Sequence, residues 1–104
     1  MKLVLVCYSG SSASILKDRM LAWARANLLD VEIIVSSLAG LDEDKEDADI
    51  VLVGPQVRCA LASVRERVPE RIPVMAVDTR DYGMAKGDRV MQAALDEIRQ
   101  YKEH

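Results

Sequence analysis

Residues 50–53 read Ile-Val-Leu-Val and end at Gly54-Pro55. An unbroken apolar run this short suits a strand covered on both faces, as in a parallel sheet with helices above and below. Proline brings no amide to a strand ladder, so the strand stops there. Lys2–Val6, Val31–Val35 and Val74–Val77 read as three further strands. Helical patterns lie between them. Ser11 or Ser12 is a good N-cap for a first helix, with Ile15, Leu16, Met20, Trp23 and Ala24 on one face and Lys17, Asp18 and Arg25 turned away. A second helix, about Gln56 to Val68, buries Val57, Ala60, Leu61 and Val64. A last one, about Lys86 to Lys102, turns Val90, Met91, Ala94, Ile98 and Tyr101 inward. The run LDEDKEDAD reads as a solvated connector with one helical turn, and Pro69 and Pro73 bracket the turn into the fourth strand.

This alternation predicts one α/β domain over residues 1–104, a four-stranded parallel sheet flanked by helices. Right-handed crossovers place the first strand inside, with the second on one side and the third on the other, in the order 2-1-3-4. Ligands of such sheets bind at the carboxyl ends of the strands, where the winding reverses. Here that point falls between the loop Cys7–Ser14 and the loop Gly54–Gln56.

Composition narrows the function. Half the residues are hydrophobic and only 4% are aromatic, with no Phe, so the core is built from Leu, Ile, Val, Ala and Met. A net charge of −3 with scattered Lys and Arg argues against nucleic acid. No apolar run reaches the ~18 residues of a membrane span, and Met1–Val6 is too short for a signal-peptide core. A cytoplasmic protein is expected, with Cys7 and Cys59 reduced rather than paired. Two distant cysteines and one His104 do not make a zinc site.

Cys7 closes the first strand and is followed by Tyr8, Ser9, Gly10, Ser11, Ser12, Ala13 and Ser14. Gly10 frees the backbone, and small residues let the main chain approach a ligand closely. Successive amides opening into a helix form an anion nest. A thiol at its rim feels the same field and should have a lowered pKa, making Cys7 a candidate thiolate nucleophile; the competing reading is a buried core cysteine. On the first reading Cys7 outreacts Cys59, which reads as a packing residue, as do Trp23 and the methionines.

Several machineries are missing. Tyrosine phosphatases of low molecular weight and related arsenate reductases place an arginine six residues after the cysteine, where this chain has Ala13. A receiver domain needs acidic residues where Cys7 and Gly54 stand, and there is no Gly-Lys-Ser/Thr phosphate loop. His104 is terminal and offers no base. What is left is a cysteine able to carry a phosphoryl group without means to hydrolyse it.

Three segments, LVLVCYSGSSAS, ADIVLVGPQVRCAL and IPVMAVDTRDYGMAKGDRVMQAAL, together resemble the enzyme IIB component of the bacterial sugar phosphotransferase system (PTS), lactose/cellobiose type. The resemblance covers essentially the whole chain in order. It implies a flavodoxin-like, low-molecular-weight-phosphatase-like fold. It also implies a phosphocysteine at Cys7, cradled by residues Tyr8 to Ser14, that accepts its group from a phosphohistidine of enzyme IIA. Cys7 then passes the group to a sugar, a disaccharide such as cellobiose, lactose or chitobiose, held by membrane enzyme IIC. No metal or cofactor is implied, and a monomer that does not enter the membrane is expected. The family loop commonly reads Cys-Ser-Ala-Gly-Met-Ser-Thr-Ser, so Tyr8, Ser9, Ser11 and Ala13 are departures. Backbone donors survive them, while partner and sugar specificity are where they would be felt.

Near the predicted switch point, Gln56 reads either as a phosphate or loop contact or as a plain helix start. Tyr82-Gly83 either flanks the site or forms an exposed turn. Asp78 and Asp81 mimic a phosphatase general acid but lack its arginine. Two other readings stay open: a phosphatase or arsenate reductase-like enzyme, recognised by turnover without a partner, and a non-enzymatic anion-binding regulatory module, recognised by the absence of any phosphorylated state.

Overall fold

The computed structural model describes residues 1–7 and 10–102, with the backbone only for Ser11, Ser12, Asp44, Gln56 and Arg58. Its strands are β1 (Lys2–Val6), β2 (Glu32–Ser36), β3 (Ile50–Val53) and β4 (Val74–Ala76). All pairings are parallel and the order is β2-β1-β3-β4, as the crossover argument requires. The register sets Val6 beside Val53 and Val53 beside Ala76.

The two central strands are buried on both faces, and their period of two divides the core. Leu3, Leu5, Cys7, Ile50 and Leu52 join one buried cluster with Leu16, Met20, Val90, Met91 and Ala94. Val4, Val6, Val51 and Val53 join the other, with Leu41, Val57, Val64 and Ile72. The first face is covered by α1 (Gly10–Ala26) and α5 (Gly87–Lys102). The second is covered by α2 (Leu41–Asp44), a 3-10 helix over Pro55–Ala60 and α3 (Leu61–Arg67). Arg67 ties α2 to α3: its side chain meets Asp42 at 3.3 Å and donates to the Leu38 carbonyl at 2.8 Å.

Where α1 and α5 cross, Gly87 leaves no room for a side chain. A Cβ there would lie 2.5 Å from the Arg19 carbonyl carbon and 2.6 Å from the Met20 nitrogen. The α1 stripe is Ala13, Leu16, Met20 and Ala24, all buried, and Trp23 packs at its margin. Ile15 departs from the sequence expectation: one residue before Leu16 it is turned about 100° away and is 56% exposed. The helix starts at Gly10, so Ser11 and Ser12 stand in its first turn rather than at the cap.

Other expectations shift too. The single helix over 56–68 is two pieces, a 3-10 helix over Pro55–Ala60 and α3 from Leu61, and within the first Val57 leaves helical geometry (φ −116°, ψ 19°) with its side chain buried. Tyr101 is 38% exposed; its hydroxyl donates to the Glu70 carbonyl instead of filling the core. Met1 and Met84 are exposed, unlike Met20 and Met91. A short helix, α4 (Thr79–Gly83), was missed by periodicity because it is barely more than one turn. Its signal was Asp78, whose carboxylate accepts the Arg80 and Asp81 amides at 2.9 and 3.1 Å as an N-cap.

Candidate functional site

Strand alternation decides where Cys7 points. It continues the series Leu3, Leu5 onto the α1–α5 side of the sheet. Its amide donates to the Ser36 carbonyl at 3.0 Å, so the residue is still held by β2 after β1 has ended. Next door, Gly54 donates to the Val6 carbonyl at 2.9 Å, and Val77 donates to the Val53 carbonyl at 2.8 Å. Cys7, Gly54 and Val77 therefore lie level across the carboxyl edge of β1, β3 and β4. The winding reverses here, with β2 on one side of β1 and β3 on the other.

Three residues beyond Cys7 the chain enters α1 at Gly10. The first turn of an α-helix leaves its amides without intrahelical partners and carries the positive end of the dipole. In α1 that turn holds no acidic residue. Ala13, with its methyl fully buried in the same cluster as Cys7, fastens the turn to the core. Residues 10–14 of the expected nest are therefore the start of a long helix whose Ala13 shares a buried cluster with Cys7. Tyr8 and Ser9 lie outside the described residues, as do the side chains of Ser11, Ser12 and Gln56.

The thiol itself differs from the expectation. Cys7 is only 4% exposed, and burial pushes its pKa up from the ordinary value of 9.0, because a thiolate would lose its water. Cys7 at rest is a buried thiol. Cys59 is the reverse of its expectation: it is exposed on the 3-10 helix rather than packed.

Tyr82 is not an exposed turn. It is 5% exposed and belongs to the buried cluster that contains Cys7 and Val77. Asp78 is occupied as a helix cap, and Asp81 pairs with Arg89 at 3.2 Å, which leaves neither placed as a general acid. Sequence reasoning missed a cavity of about 520 Å³ between α4 and α5, lined by Asp78, Arg80, Asp81, Met84, Lys86 and Arg89. Its signal is the mixed-charge run TRDYGMAKGDR.

Comparison with known proteins addresses the whole chain. Residues 2–93 match the family described as PTS system, Lactose/Cellobiose specific IIB subunit. The galactose-specific EIIB component of Lactococcus lactis subsp. cremoris (strain MG1363) is 33% identical over 98 residues, covering 88% of this chain and 91% of that protein. The oligo-beta-mannoside-specific EIIB component of Bacillus subtilis (strain 168) is 33% identical over 95 residues, covering 90% and 92%. The solution structure of a cellobiose-specific phosphotransferase IIB component from Borrelia burgdorferi superposes with a TM-score of 0.81 at 30% identity, covering 97% of this chain and 94% of that one. The lactose-specific IIB domain of Streptococcus pneumoniae shares the fold, with a TM-score of 0.76 at 17% identity and coverage of 93% and 96%.

Proposed function

The chain belongs to the lactose/cellobiose-specific IIB subunits of the phosphotransferase system, and from that premise we propose that it carries a phosphoryl group on Cys7 between a phosphohistidine of enzyme IIA and a sugar held by enzyme IIC. The observation that carries this reading is the position of Cys7, level with the winding reversal and three residues ahead of α1. Each step is an in-line displacement. As the S–P bond forms, the P–N bond to the donor histidine breaks, and the thiol proton leaves with the departing imidazole. In the second step a sugar hydroxyl attacks, the S–P bond breaks and the thiol regains a proton.

The raised pKa suits this exchange. A buried thiol stays protonated and quiet until a docked donor supplies both the electrophile and the proton acceptor. First-turn amides of α1, with those of Tyr8 and Ser9, are the donors assigned to the phosphoryl oxygens. In this reading Gln56 and Tyr82 are neighbours of the site, supported for Gln56 by its position after β3 and for Tyr82 by its share in the Cys7 cluster. The sugar remains open, since relatives named for galactose and for oligo-beta-mannosides are equally identical to this chain.

Intact mass tests the reading. With phosphoenolpyruvate, the general phosphotransferase proteins and a cognate enzyme IIA, one phosphoryl group is expected, persisting until sugar-loaded enzyme IIC is added. Cys7→Ser should abolish acceptance, because a serine hydroxyl is a far weaker nucleophile than a cysteine thiol. Cys59→Ser should accept normally. A phosphoryl group on any other residue, or acceptance by Cys7→Ser, overturns the proposal.

A further inference from the structure

In a parallel sheet all strands enter at one edge and leave at the other, and the charged side chains here divide unevenly between the two. The segments that enter strands, 27–31, 45–49 and 68–73, carry Asp30, Glu46, Asp47, Asp49 and Glu70 against Lys45 and Arg71. Asp42, held by Arg67 at the end of α3, belongs to that acidic edge as well. The segments that leave strands are different. Residues 37–40 carry no charge, residues 54–60 carry Arg58, and residues 77–86 set Arg80 and Lys86 against Asp78 and Asp81. Among the described side chains of these segments, two cations, Arg80 and Lys86, balance two carboxylates, Asp78 and Asp81, in contrast with the acidic edge.

The carboxylates of the α4–α5 cavity already have partners. Asp78 accepts two backbone amides and Asp81 pairs with Arg89. Arg80 and Lys86 line the same cavity and have no ion-pair partner among the described residues. Met84, between them in sequence, is 57% exposed. Met and Arg are among the residues enriched in protein–protein interfaces. Val77, one residue before this corner, is level with Cys7 two strands away, roughly 10 Å at ~4.8 Å per strand.

We propose that Arg80 and Lys86, with Met84 as the apolar contact, form part of the surface that docks enzyme IIA, and that their charge favours its phosphorylated form over the spent one. The inference rests on the carrier reading above. A phosphoryl group brings close to two negative charges to the rim of the site. The two cations, without an ion-pair partner among the described residues, attract that charge while the partner carries it. Once it moves to Cys7 the attraction becomes internal to this chain, and release of the spent donor is favoured. A neutral sugar brings no such charge, so the approach of enzyme IIC gains little from these residues.

The test is the initial rate of phosphoryl transfer from phosphorylated enzyme IIA to wild type and to the double variant Arg80→Glu/Lys86→Glu, at low and at high salt. Arg71→Glu, on the acidic edge, controls for charge alone, and thermal unfolding checks the fold. The double variant should transfer about ten-fold more slowly at low salt, with the gap closing as salt rises. Arg71→Glu should match wild type. The milder Arg80→Gln/Lys86→Gln should show a smaller loss of the same salt dependence, which keeps the test open if the reversal unfolds the protein. Wild-type rates in both double variants, or a loss independent of salt, overturn this inference and leave the carrier reading standing. No transfer to wild type overturns the carrier reading, and this inference with it.

Discussion

A thiol titrates according to what surrounds it, and the two cysteines have opposite surroundings. Cys7 is 4% exposed at the end of a central strand, while Cys59 is exposed on a 3-10 helix. Reactivity needs both thiolate and access. A bulky thiol reagent at neutral pH should therefore modify Cys59 first, with Cys7 at least about ten-fold slower because it reacts through local opening. Peptide mass mapping over time checks the order, and Cys59→Ser should leave a single slow site. Sequence reasoning pointed the other way, since a helix start after Cys7 is visible in the sequence and its burial in one cluster with Leu5, Ala13 and Tyr82 is not.

At the scale of elements, the end of α1 shows what local patterns leave out. Leu29 donates its amide to the Ala24 carbonyl at 2.8 Å, closing the helix through Leu28 in the left-handed region at φ 57°. Glycine is the usual residue at such a position. Leu28 is also 94% exposed, so its side chain contributes almost no packing. A left-handed leucine costs ~1–2 kcal/mol, and glycine returns part of that as greater freedom in the unfolded chain. Leu28→Gly should stabilise the protein by about 0.5–1 kcal/mol, measured by urea unfolding with an unchanged slope. A loss of stability would mean that the leucine has a packing role the folded chain does not show.

For the molecule as a whole, burial of Cys7 links folding to alkaline pH. The folded thiol holds its proton above the ordinary value of 9.0, whereas the unfolded one releases it near that value. The contribution is complete below the unfolded pKa and is lost as pH rises through the folded one, at a slope approaching ~1.4 kcal/mol per pH unit for one proton. Unfolding free energies measured upward from pH 8 should fall more steeply in wild type than in Cys7→Ala. Parallel curves would show that Cys7 titrates alike in both states.

Strand number, parallel pairing, the order β2-β1-β3-β4 and the place of Cys7 at a strand end were determined by the sequence alone. These follow from local signals: an apolar run closed by Gly54-Pro55, helical spacing between strands, and a handedness rule that leaves few topologies. Tertiary structure decided the rest. Whether Ile15 or Leu16 meets the core, whether Cys7 or Cys59 meets water, and which cations line a cavity with Met84 depend on atoms brought together from distant parts of the chain. The edge holding Cys7 follows from the first kind of information. Its burial and its charged rim follow from the second, because desolvation and ion pairing are set by neighbours in space and not by neighbours in sequence.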